Sequence, residues 1–249
     1  MNKSENYRAI LSTLDNWDNY LLQESGLPGP RGNLELAFVV AALGNQSYFE
    51  HLLTFNITRA PVNSPEEFLF FCGVVGLGEL IVKGDHNYLT RLRVYATDPR
   101  WRAREGVAMA LQRLGDCNME LLLQEAERWC SYGWLEMRAA AAALAEPRLL
   151  KEKNNTFAAL KIINKITFLV YKAEQKKTED YKILRQALGY CWSVVVAAIP
   201  SEGMPMMDDW LTSDNPDIKW IMKENLRKNR LSKLEPWISN WRTRLELSR

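Results

Sequence analysis

Residues 97–115, TDPRWRAREGVAMALQRLG, constrain this chain more than any other stretch. Asp98 offers a helix cap and Pro99 suits a first turn, whose amides have no partner within the helix. Trp101, Val107, Ala108, Leu111 and Leu114 recur at three- and four-residue steps and predict one apolar stripe. Arg100, Arg102, Arg104 and Arg113 leave the other side strongly basic. Weaker copies follow downstream, so the expected architecture is a stack of helix pairs.

The rest of the composition is compatible with that. With 249 residues, 47% of them hydrophobic, the chain can bury a substantial core, and 25% charged residues with few Gly or Pro argue against disorder. Cys72, Cys117, Cys130 and Cys191 form no CxxC pair, and only His51 and His86 accompany them. A structural zinc site is therefore not expected, and buried free thiols in a reducing cytoplasm are. The apolar runs Phe68–Val82 and Leu188–Ile199 fall short of the roughly 20 residues that span a bilayer. The N-terminus lacks a signal-peptide apolar core. A cytoplasmic protein with no membrane, metal or cofactor is the expectation.

Charge is unevenly spread. Residues 1–90 hold 5 Lys+Arg against 10 Asp+Glu, and residues 91–249 hold 27 against 20. A basic later part permits an anionic polymer as partner without requiring one.

Taken in order, residues 5–24 read as one helix, stopped by SGLPGPRGN at 25–33, a connector that lacks the Gly-Lys-Ser/Thr of a phosphate loop. Short helices follow at Leu34–Gly44 and around Tyr48–Phe55. Ser64-Pro65-Glu66-Glu67 predicts a capped start with a capping box, and Gly73, Gly76 and Gly78 read as places where another helix approaches closely. His86–Ala96 with Asp98–Gly115, and Met119–Cys130 with Trp134–Ala145, make helix pairs. Ala103-Arg104 and Met137-Arg138 stand 34 positions apart, and Ile218-Lys219 follows about two periods later. That spacing suits HEAT-type repeats. Thr156–Tyr171, Tyr181–Ile199, Met204–Leu211 and Pro216–Lys228 continue the series. Leu231–Leu247 closes it, with Trp237, Trp241 and Leu245 inward and Arg242, Arg244 and Arg249 outward. No stretch keeps period-two alternation, so no sheet is expected. The reading is an all-α, HEAT-like α-solenoid of stacked antiparallel helix pairs, about six of them, in one domain over 1–249.

SGLPGPRGNLELA, FCGVVGLGEL, DPRWRAREGVAMALQRLGD, LRQALGYCWSVVVAA and DNPDIKWIMKENLRKNRL resemble a group of bacterial HEAT-repeat proteins over nearly the whole chain. More distantly, the architecture is similar to the HEAT-like-repeat alkylpurine DNA glycosylases. That resemblance implies duplex DNA in a basic concave surface lined by the second helices, and a Trp and an Asp four residues apart facing the damaged nucleotide. The sequence has no Trp-x3-Asp, but has Trp101-x3-Glu105 and Trp220-x3-Glu224, a spacing that puts ring and carboxylate on one helix face. Either the carboxylate serves beside a stacking ring, or each Trp packs into the core while its Glu pairs with a nearby Arg or Lys.

Elsewhere no catalytic constellation stands out. Two histidines give no nucleophile–base set. Asp208-Asp209, adjacent on a helix, point about 100° apart and read as a solvated helix end. Phe168, Tyr171, Tyr190 and Trp192 read as core. Two functions remain open. One is a non-enzymatic HEAT scaffold that binds a protein through a concave face. The other is a DNA-binding, repair-type protein with a glycosylase-like activity. Either would use the second-helix residues Trp101, Arg102, Arg104, Glu105, Trp134, Arg138, Lys219, Trp220, Lys223, Glu224 and Arg227, so the partner is a protein or a nucleic acid.

Overall fold

The structure, a computed structural model, describes residues 2–246, and among them every regular element is helical. No described helix is long and apolar enough to cross a membrane. The helices cluster into two compact units, Met1–Cys117 and Asn118–Arg249.

The first unit holds α1 (Lys3–Leu11), α2 (Asp18–Glu24), α3 (Leu34–Leu43), α4 (Gln46–Leu53), α5 (Pro65–Val82), α6 (Asn87–Tyr95) and α7 (Trp101–Cys117). α5 is its axle, buried along nearly its whole length and packed against α3, α4 and α7. The glycines make this possible. A Cβ on Gly76 would lie 2.3 Å from the Phe49 ring of α4, and one on Gly78 would lie 2.8 Å from the Ala110 backbone of α7. The close approach expected from Gly73, Gly76 and Gly78 is thus real. Successive odd helices, α1 on α3, α3 on α5 and α5 on α7, form one layer. Polar bonds tie α2 to α4 and α4 to α6. Asp18 accepts from the Tyr48 hydroxyl at 3.0 Å and meets His51 at 2.6 Å, while Glu50 accepts from Tyr88 and Arg91.

The second unit repeats the scheme. It holds α8 (Met119–Trp129), α9 (Trp134–Leu144), α10 (Lys153–Lys172), α11 (Glu179–Ala198), α12 (Pro200–Leu211), α13 (Pro216–Leu226) and α14 (Trp237–Arg244), with 3-10 turns at Pro147–Leu149 and Asn229–Lys233. α11 lies between α9 and α13, and α10 packs between α8 and α12. Lys165 pairs with Glu127 across α10 and α8, and the Trp210 indole donates to Asn164 across α12 and α10 at 2.6 Å. Trp134, Tyr181 and Asp217, in the first turns of α9, α11 and α13, touch in sequence, so these three helices start side by side.

Several expectations need correction. The first helix is two helices. Ser12 and Thr13 hydroxyls bond back to Arg8, Ala9 and Ile10 carbonyls, and the Trp17 indole donates to the Leu11 carbonyl at 2.9 Å, which ends α1. The capping box at Ser64 does not form. Glu67 accepts instead from the Asn63 amide at 2.7 Å, and the Ser64 hydroxyl makes no cap bond. Asp208 is not a solvated helix end, because one of its oxygens accepts from both Trp237 and Trp241 at 2.7 Å each. The closing helix is only α14. Arg242 turns back to donate to the Leu226 carbonyl rather than outward, and Leu247 and Arg249 lie outside the described residues. Phe168 and Tyr171 are exposed, not core, whereas Trp192 is fully buried and donates to Thr167 at 2.8 Å. Cys72, Cys130 and Cys191 are buried free thiols, but Cys117 is exposed.

Candidate functional site

The arginines around the start of α7 were expected to form a basic outer face. Two of them are interior. Arg100 is 1% exposed and Arg102 is 4% exposed. Arg100 chelates the Asp98 carboxylate through Nε and Nη2 at 2.9 and 2.8 Å and donates Nη1 to the Phe55 carbonyl. Its guanidinium also lies 3.7 Å from the Phe70 ring centroid. Arg104 donates to the Asp98 and Pro99 carbonyls at 2.6 and 3.0 Å, filling the helix entry. A guanidinium brings five donors in a rigid fork, and here the forks are spent on the protein itself.

Arg102 does something further. Nη1 meets Glu67 at 2.9 Å, and Nη2 donates to the Gly29 carbonyl at 2.6 Å and to the Asn63 side chain at 3.2 Å. Asn63 in turn accepts from the Gly29 amide at 3.1 Å. Asn63 sits at φ 67°, a left-handed conformation that Asn tolerates. The four residues clasp the 25–33 connector against α5 and α7. Pro30, Arg31 and Gly32 then stand as the lip of a cleft of about 290 Å³.

The rest of that cleft comes from three helices. Leu34 opens α3, Phe71 rises from α5, and Trp101, Glu105 and Met109 descend α7 at four-residue steps on one face. Trp101 is 43% exposed, so it is not part of the buried stripe expected of it, and the Arg102 guanidinium lies 4.5 Å from its ring centroid. Trp101, Arg102 and Glu105 were expected at a site, and the structure brings them together. Arg31, Leu34, Phe71 and Met109 were missed. Extending the Trp-x3-Glu step by four residues would have found Met109.

The remaining residues lie in the second unit. Trp134 packs edge-on to Tyr181, with centroids 5.6 Å apart. The Tyr181 hydroxyl donates to Asp217 at 2.8 Å, Arg185 meets the same carboxylate at 3.0 Å, and the Arg185 guanidinium lies 4.2 Å from the Trp220 centroid. Burial, and then the bond to Asp217, hold the Tyr181 phenol well above its ordinary range. Trp220 packs on Gly189, where a Cβ would come within 3.2 Å of the ring. Glu224 pairs with Arg227 and lies 3.9 Å from Lys228. Lys219 pairs with Asp214 at 2.9 Å, Arg138 is buried, and Lys223 is half-buried. The two Trp/Glu pairs therefore have different surroundings: Trp220/Glu224 is packed and ion-paired, whereas Trp101/Glu105 lines a cleft. No group of three or more His, Cys, Asp or Glu residues able to hold a metal occurs among the described residues.

No family model matches the chain, and no curated protein does. A crystal structure of an engineered protein, a Northeast Structural Genomics Consortium target, is similar over 97% of this chain and 98% of its own, at 16% identity and a TM-score of 0.35. A likeness at that level carries no argument about fold or function.

Proposed function

We propose that the chain is a HEAT-like binding protein without catalytic activity, and that it takes a protein partner by seating one apolar side chain in the Trp101 cleft. The two-layered packing inside each unit is the arrangement that HEAT-type helix pairs use, and it supports that part of the reading. The observation that carries the rest is Trp101 itself. A large ring left 43% exposed beside an apolar hollow is the composition of an interface anchor site. The hollow, about 290 Å³, sits at the lower end of small-molecule pockets and suits a single side chain. Its charged residues, Arg31, Arg102 and Glu105, are of both signs, which favours a protein partner over a polyanion.

The nucleic-acid reading has less support. Tracking phosphates needs cations with donors to spare. Arg100, Arg102, Lys219 and Arg227 each already hold a carboxylate. A cytoplasmic setting, expected from the free thiols, belongs to the same proposal.

Selection of displayed peptides on the intact protein, with counter-selection on Trp101→Ala, tests it. Enriched peptides are expected to share one large apolar residue and to lose at least about tenfold in affinity on the variant, as truncating an anchor does. Enrichment of the same peptides on both proteins would sink the assignment.

A further inference from the structure

A second cleft, of about 460 Å³, lies in the second unit and is unrelated to Trp101. Its floor is the last turn of α11, where Val194, Ala197 and Ala198 fall on one face at three- and four-residue steps. Leu234 and Pro147 wall it in. Arg230 and Lys233 stand at its rim, both on the 3-10 turn Asn229–Lys233. That helix has three residues per turn, so positions three apart stack on one side. Both side chains are exposed, and neither has a hydrogen-bond or ion-pair acceptor among the described residues. Lys165, Arg185, Lys219 and Arg227 of the same unit each hold a carboxylate. Among the described residues, no acidic side chain lines the cleft.

An apolar floor under two uncommitted cations is complementary to one kind of molecule. We propose that this cleft binds a small organic oxyanion with a short apolar chain, its head on Arg230 and Lys233 and its chain over Val194, Ala197 and Ala198. The volume lies within the range of small-molecule pockets, and a few charge-assisted bonds above an apolar surface are how such pockets fix orientation. The head group is a carboxylate or a phosphate monoester, which the arms of the test separate.

The test is calorimetric titration of the full chain with octanoate, octyl phosphate, octylammonium and inorganic phosphate. One molecule of octanoate or of octyl phosphate is expected to bind per chain, and the tighter of the two names the head group. Arg230→Gln with Lys233→Gln, both at exposed positions, should weaken that binding at least about tenfold without moving the melting temperature, since two charge-assisted bonds are lost. Ala198→Asp, which sets a negative charge on the exposed edge of the floor, should weaken it comparably. Octylammonium binding as tightly would reduce the cleft to apolar adhesion, and inorganic phosphate binding as tightly would reduce it to surface charge. Either result, or an undiminished affinity in the double variant, overturns the proposal.

Discussion

At the residue scale, Arg102 decides how the first unit holds together. Its carboxylate partner Glu67 is fully buried, so removing the arginine strands a charge with no solvent to take it up. Arg102→Met is expected to cost about 3–5 kcal/mol in urea unfolding, and Arg102→Met with Glu67→Leu should recover much of that loss. If the double variant lost as much as the single, the carboxylate would not be the source of the cost. From the sequence, Arg102 belongs to a basic face and to the candidate binding residues, and nothing marks it as an interior clasp. The reason is physical: helical spacing gives an azimuth on the helix, but not what stands opposite it. Here the acceptors, Gly29, Asn63 and Glu67, lie 73, 39 and 35 positions away. The Trp101–Glu105 step was legible because both residues share one helix face. Arg31, Leu34 and Phe71 were not, since they join that face only through tertiary packing. Thiol burial was legible for three cysteines, and burial pushes the Cys130 thiol up to about 11.

At the scale of elements, the helices were legible from their apolar period even where the expected cap failed: Ser64 makes no cap bond before α5, and α7 begins at Trp101 rather than at Pro99. Asn118, Thr178 and Asn215 cap α8, α11 and α13, their side chains accepting from first-turn amides. Gly73, Gly76 and Gly78 told correctly that another helix would approach α5 closely. The failures came where side chains competed for backbone groups. Ser12, Thr13 and Trp17 capture carbonyls at the end of α1, and a hydrophobic period cannot see such bonds. α14 is the element most dependent on a single side chain. Its two indoles converge on Asp208, and among its residues only Ile238 is fully buried. Asp208→Ala is therefore expected to raise amide exchange through 237–244 by more than tenfold, roughly 1.4 kcal/mol, while the midpoint for the rest of the chain changes little. Unchanged exchange there would mean that Ile238 and Arg242 suffice to dock the helix.

On the scale of the whole molecule, the all-helical class followed from the lack of period-two alternation and the recurrence of helix starts, and the structure has it. Function was far less legible. The 27 Lys+Arg against 20 Asp+Glu of residues 91–249 suggested a basic surface. The structure spends much of that excess on ion pairs, helix entries and carbonyls, which composition cannot register. Two local features among the described residues stand apart: an exposed ring and an apolar hollow at Trp101, and the cations Arg230 and Lys233 above α11. The most direct measurement of the Trp101 reading is a methyl NMR titration of the intact protein, with Met109 and Leu34 assigned, against a peptide carrying one large apolar anchor and against duplex DNA. The Met109 and Leu34 methyls are expected to shift with the peptide at low and high salt alike, and to stay put with DNA. Steeply salt-dependent shifts with DNA, centred on the α13 residues Ile218 and Ile221 and leaving Met109 untouched by the peptide, would contradict it.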